Sequence, residues 1–131
     1  HFPYIIREKP GKNNSLGLVK FLFPNPYDIY LHDTPAKELF KKNKRDFSHG
    51  CIRIEEPERL AQFLLRKEKD WTQEKITEYM TGGKETFIKL KKKVPVFIAY
   101  FTAWVDSEGQ LNFRPDVYGH DEKMKSLLFV N

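Results

Sequence analysis

At 131 residues the chain has the length of one ordinary domain and is long enough to bury a core. It is 40% hydrophobic and 15% aromatic, which excludes disorder, and its longest apolar stretch, Val94 to Val105, is shorter than the roughly 18 to 20 residues that cross a bilayer. The net charge of +5 is concentrated at Lys41-Lys42-Asn43-Lys44-Arg45 and Lys89 to Lys93. Such charge favours anionic partners or a plain solvated face, and no nucleic-acid motif accompanies it, so nucleic acid is not an expected partner.

Period-two alternation and β-branched or aromatic enrichment predict strands over most of the chain, with a helical pair in the middle. Phe2 to Arg7 reads as a strand, followed by the turn cluster Pro10-Gly11-Lys12-Asn13-Asn14. A second strand is predicted at Gly17 to Phe23, ending at Pro24-Asn25-Pro26, and a third at Asp28 to Leu31, which delivers His32 at its end. Thr34-Pro35 has the form of a helix start, with Thr34 as N-cap. Cys51 to Ile54 alternates like a strand. Glu56-Pro57-Glu58 then opens a helix whose apolar face is expected at Leu60, Phe63 and Leu64. Asp70 with Gln73 suggests a capping box for a second helix ending near Gly82-Gly83. Thr86 to Leu90 and Val94 to Val105 read as strands, with the lysines of 89–93 guarding an edge. Asp106-Ser107-Glu108-Gly109 is a hairpin turn, and Leu111 to Arg114 the return strand. Trp71 and Trp104 are expected in packing roles. The fold class is therefore mostly β with inserted helices, in one domain spanning residues 1–131. Because the chain opens on His1-Phe2-Pro3-Tyr4, it is expected to be the C-terminal portion of a longer protein.

The chain has a single cysteine, so its neighbours decide what it does. Phe47-Ser48-His49-Gly50-Cys51-Ile52-Arg53 follows Ile29-Tyr30-Leu31-His32-Asp33-Thr34-Pro35, which puts two histidines and the thiol within 20 positions. A thiol becomes a nucleophile as its thiolate, which needs a base or positive neighbour. His49 stands two residues from Cys51, and His32 can reach the same spot from an adjacent strand. Gly50 permits the unusual dihedrals of a segment that presents backbone N–H groups to an oxyanion.

His32, fifteen intervening residues and then Ser48-His49-Gly50-Cys51-Ile52-Arg53 resemble the signature of L,D-transpeptidase catalytic domains of the YkuD type. Further similarity to the larger, YcbB-like branch lies in Pro10-Gly11, Leu16-Gly17, Lys20-Phe21, Tyr30 to Pro35, Leu39-Phe40, Thr102 to Val105 and Asp116-Val117-Tyr118. The resemblance implies a β-sandwich-like fold in the bacterial periplasm or envelope, with further N-terminal strands preceding the stretch that begins here. It also implies a cysteine acyltransferase that builds 3→3 cross-links between peptidoglycan stem peptides, with no cofactor. By the same resemblance Cys51 is the nucleophile and His32 the base, oriented by the backbone carbonyl of Asp33. His49, Gly50 and Cys51 frame the oxyanion, and Ser48 supports the loop. Arg53, Tyr30 and Arg45 are candidate substrate contacts.

Two rival readings remain beside it. One is a zinc-dependent hydrolase using His32, His49 and Cys51, although no second cysteine or adjacent general-base carboxylate accompanies them. The other is a catalytically silent wall-binding module. For single residues, the plain alternatives are an inert buried Cys51, a salt-bridged surface pair of His32 with Asp33, and an ion pair of Arg53 with Glu55 or Glu56.

Overall fold

The computed structural model describes residues 3–48 and 50–129, and the chain divides into two units, His1–Pro95 and Val96–Asn131. In the first unit, three short strands form a sheet in the order β1-β2-β3: β1 is Lys20–Phe21, β2 is Leu31–His32 and β3 is Ile52–Arg53. β1 pairs antiparallel with β2, Lys20 opposite His32 and Phe21 opposite Leu31. β2 and β3 run parallel, Leu31 opposite Ile52 and His32 opposite Arg53. Backbone bonds continue the ladder past the strand ends, from Asp33 N to Val19 O at 2.9 Å and from Ile54 N to His32 O at 2.8 Å.

The strands are shorter than the alternation predicts, and the backbone shows why. Gly17 sits at φ 66° and Asp28 at φ 53°, left-handed conformations that a strand does not accommodate, so pairing starts only at Lys20 and Leu31. Between them Asn25 builds a tight turn. Its Oδ1 accepts from the N–H groups of Tyr27 and Ile29, both at 3.0 Å, and its Nδ2 donates to Ile29 O at 2.7 Å. No strand forms among the described residues of 2–7. Thr34 accepts from Ala36 N at 3.2 Å, and the 3-10 helix it introduces begins only at Lys37 and runs Lys37–Lys41.

Two helices follow the sheet in the chain. In α1, Pro57–Leu65, Pro57 occupies the first turn, where its missing N–H costs nothing. The buried stripe is Pro57, Ala61 and Leu65, not the expected Leu60, Phe63 and Leu64. Spacing of four residues selects the smaller side chains for the close contact, and Phe63 is left exposed under the Arg66 guanidinium, 3.8 Å from its ring centre. α2, Gln73–Thr81, is capped by Thr72, whose hydroxyl accepts from Lys75 N at 3.3 Å, in place of the expected Asp70. It ends at Gly82, with Gly83 at φ 69°, where the glycine pair predicts a stop. Ala61, Leu65 and Ile76 form the buried apolar cluster, and Phe21, Trp71, Met80 and Leu90 pack against it. Trp71 meets Tyr79 edge-on at 5.0 Å. The lysines of 89–93 border no strand among the described residues; Lys91 instead pairs with Glu68 at 2.9 Å.

In the second unit, β4 (Ala103–Val105) and β5 (Leu111–Phe113) form the predicted hairpin. Asp106 closes it by accepting from Glu108 N at 3.0 Å and Gln110 N at 2.9 Å, with Gly109 at φ 80°. Trp104 lies under the Arg114 guanidinium at 4.9 Å. α3, His120–Leu128, is a helix that the sequence reading lacks, because glycine, Gly119 at φ 67°, stands at its N-cap. Asp116 satisfies its first turn from three residues further back, accepting from Asp121 N at 2.7 Å. Of the expected fold class, the inserted helical pair stands. The mostly β part is borne out only in part: the described residues carry three nine-residue helices against five strands of two or three residues. A period-two pattern reports half-burial, whereas a strand also needs a paired neighbour.

With so small a fully buried cluster, one side chain carries much of it. Ile76→Ala should lower unfolding free energy by about 3 kcal/mol in urea denaturation, against about 1 kcal/mol for the cap variant Thr72→Ala. Equal effects would mean that this cluster is not the core.

Candidate active site

Parallel pairing fixes which side chains share a face. Leu31 and Ile52 are partners, so Tyr30 stands beside Cys51 one residue earlier, as His32 stands beside Arg53. Successive strand residues alternate faces, which places Tyr30, His32, Cys51 and Arg53 on one side, with Lys20 joining from β1. Contacts agree: the Tyr30 and His32 rings meet edge-on at 5.8 Å, and the Lys20 ammonium lies 5.9 Å from the Tyr30 ring centre. Phe21, on the opposite side, packs toward the apolar cluster. Partial burial pushes the Tyr30 phenol above its ordinary pKa, and its hydrogen bond with the Cys51 thiol adds to the rise. Tyr30 thus meets the imidazole edge-on and stands opposite the half-buried Cys51 in the strand register.

His32 is 5% exposed, and its Nδ1 lies 2.5 Å from the backbone carbonyl oxygen of Asp33. A carbonyl only accepts, so Nδ1 carries the proton and Nε2 is left as the acceptor. This contact removes the surface-pair reading of His32 with Asp33. Both residues are buried, and the Asp33 carboxylate turns away to accept from Leu18 N at 2.8 Å and to pair with Lys37 Nζ at 2.8 Å. Gly17 makes room for that carboxylate, since a Cβ there would run into the Asp33 side chain.

The thiol segment is held by a serine. Ser48 Oγ donates to Cys51 O at 2.5 Å and accepts from Gly50 N at 3.1 Å. Gly50 adopts φ 146°, a conformation that side chains other than glycine's rarely allow, while the space around it is open. Its N–H is engaged by Ser48, so of the expected oxyanion donors Gly50 already has a partner in this arrangement. His49 lies outside the described residues. Arg53 is half-buried on β3, and Glu56, its candidate partner, pairs instead with Arg59 at 2.8 Å. Arg45 is exposed and its Nε donates to Lys42 O at 2.7 Å within its own loop. An open hollow is lined by Leu22, Phe23, Asn25, Ile29 and Tyr30, next to the shared face. Among the described residues no group of three His, Cys, Asp or Glu side chains is arranged to hold a metal.

Lys37 is the residue that the sequence reading missed. Its signal was present: Asp33 and Lys37 stand four apart at a helix start, a spacing that brings opposite charges together.

Burial raises the Asp33 carboxyl, but bonds from Lys37, Leu18 N–H and Thr34 N–H outweigh it and hold the group below the ordinary aspartate value. A carboxyl lowered in the folded state contributes stability above its unfolded value, about 3.9. That contribution is lost as pH falls from about 5 through the lowered folded value. Asp33→Asn should therefore flatten the acid side of a plot of urea midpoint against pH, besides lowering the midpoint at pH 7. An acid side as steep as wild type would show that Asp33 is not the group concerned.

Residues 2–98 match the YkuD family of L,D-transpeptidase catalytic domains. A Haemophilus influenzae protein named "Putative L,D-transpeptidase" is 39% identical over 123 residues, which are 94% of this chain. The chain spans 24% of that relative's length. The match takes in β1 to β3, both helices of the first unit and the whole shared face, and on it the chain belongs to the L,D-transpeptidase catalytic domain family.

Proposed function

We propose that the chain is the acyl-transfer centre of a cysteine L,D-transpeptidase acting on peptidoglycan stem peptides in the bacterial envelope. The observation that carries this reading is the strand register that sets Tyr30, His32 and Cys51 on one face, with the Tyr30 ring edge-on to the His32 ring. An imidazole with its proton fixed on Nδ1 has Nε2 available to take the thiol proton.

In the proposed reaction the Cys51 thiolate attacks the carbonyl carbon between the third stem residue, a diamino acid, and the terminal D-Ala. The tetrahedral oxyanion is met by the Cys51 N–H and by the Gly50 N–H once that exchanges Ser48 for the substrate, with His49 completing the frame. As the C–N bond breaks, the imidazolium returns its proton to the departing D-Ala amine, and a thioester remains. The side-chain amine of a second stem then attacks the thioester, passes a proton to His32 and releases the thiol, giving a 3→3 cross-link. Arg53, the register partner of His32, is assigned to a stem carboxylate. Tyr30 and Arg45 are assigned to the substrate cleft. The exposed lysines of 41–44 would hold the domain near an anionic wall polymer.

Incubation of tetrapeptide stems with the intact protein should release D-Ala and yield cross-linked product, and Cys51→Ala should reduce both by at least about 1,000-fold. Intact mass after exposure to a carbapenem should show one covalent adduct on wild type and none on the variant. Turnover that persists in Cys51→Ala would end the reading. Activity abolished by EDTA but unaffected by iodoacetamide would replace it with the metal-dependent alternative.

A further inference from the structure

One ammonium group is bound in three directions around the two strands that carry the reacting groups. Lys37 Nζ lies 2.8 Å from Asp33 Oδ1, donates to Ile54 O at 3.1 Å and donates to Glu55 O at 2.7 Å. Asp33 follows the last residue of β2, and Ile54 and Glu55 follow the last residue of β3. Lys37 therefore ties the end of the histidine strand to the end of the cysteine strand. Two of the ammonium's N–H donors go to the carbonyls, and the Asp33 carboxylate is its ion-pair partner.

The consequences reach both reacting groups through short covalent paths. On one side the Asp33 carboxylate, fixed by Lys37 and by Leu18 N–H, sets the attitude of its own peptide unit, whose carbonyl fixes the His32 ring. On the other side the clamped carbonyls of Ile54 and Glu55 end a segment whose Ile54 N–H bonds His32 O and whose Ile52 N–H bonds Tyr30 O at 3.1 Å. These two hydrogen bonds flank the paired residues of β2 and β3, and strands of two residues leave little else to resist a slip. A one-residue slip would turn Cys51 to the opposite face.

We propose that Lys37 is a positioning residue for the acyl transfer, an electrostatic clamp that holds the imidazole orientation and the β2–β3 register together. The inference rests on the reading of Cys51 and His32 as nucleophile and base. It assigns Lys37 no contact with substrate. Its own side chain is 44% exposed, while the carboxylate it grips is 8% exposed.

The test compares wild type with Lys37→Met, Lys37→Arg and His32→Ala in the intact protein, reading two rates: alkylation of Cys51 by iodoacetamide at neutral pH, and D-Ala release from tetrapeptide. Lys37→Met keeps the aliphatic stem and removes the donors. It should slow alkylation and kcat on the order of 10- to 100-fold with KM little changed, because the loss is of alignment and not of binding. Lys37→Arg, which restores a cation with several donors, should recover most of both rates, a rescue that packing of the stem alone would not produce. Thermal unfolding of each variant identifies any that fails to fold, and for such a variant Lys37→Arg against wild type decides. Lys37→Met with wild-type rates, or Lys37→Arg as slow as Lys37→Met while folded, overturns the inference. If His32→Ala alkylates as fast as wild type, the nucleophile–base reading itself falls; slowing in His32→Ala without slowing in Lys37→Met removes only the clamp.

Discussion

The parallel pairing of β2 with β3 is the constraint on which the rest of this chain depends. It contributes few hydrogen bonds, yet it decides that Tyr30, His32, Cys51 and Arg53 share one side while Leu31 and Ile52 take the other. Since β2 is the central strand, His32 is closed in by a neighbour on each edge, and its burial follows from topology before any side chain is considered. Chemistry and packing are thus opposite faces of one small sheet, with Phe21 turned to the apolar cluster and Lys20 to the site.

Around that pairing, polar groups do the work that a larger core would otherwise do. The buried apolar cluster is only Ala61, Leu65 and Ile76 among the described residues, while Asp33, Thr34 and His32 are buried as well. A buried carboxylate is costly unless well bonded. Asp33 meets that condition with Leu18 N–H, Thr34 N–H and Lys37, and its main chain serves His32 and Val19 at the same time. Asp33, adjacent to His32, is accordingly more of a joint than a charge partner. Its neighbour Gly17 has to remain small for the joint to close.

How much of this could be read beforehand depended on what kind of signal each element carried. Cys51, His32, Ser48 and Gly50 were legible because their residue types and spacing are hard to motivate by packing, and the helical pair because Pro57 and the Gly82-Gly83 stop are local instructions. Strand lengths were not, since they are set by the left-handed backbone at Gly17 and Asp28 and by the Asn25 turn, which alternation cannot report. The apolar face of α1 was misplaced by one position because hydrophobicity favoured Phe63 and Leu64 where close packing selected Ala61 and Leu65. α3 escaped notice because its cap is delivered by Asp116 at a distance from a glycine start. Lys37 was passed over because a lysine in a basic stretch looks like solvated charge until its carboxylate partner is seen to be enclosed.

Because β2 and β3 are parallel neighbours, the polypeptide must leave one end of the pair and travel back to begin again, through residues 33–51. Cys51 and His32 are brought to one face by strand register, so the middle of the return path is free to vary in length provided that both of its anchorages survive. Residues 41–46, exposed and rich in lysine, are the natural place for such variation. Lengthening or trimming that excursion would alter what the domain presents to its surroundings while leaving thiol and imidazole in step. Adding one residue inside either strand would put them on opposite sides of the sheet. The architecture thereby separates a part that can diversify from a part that cannot change by even a single position.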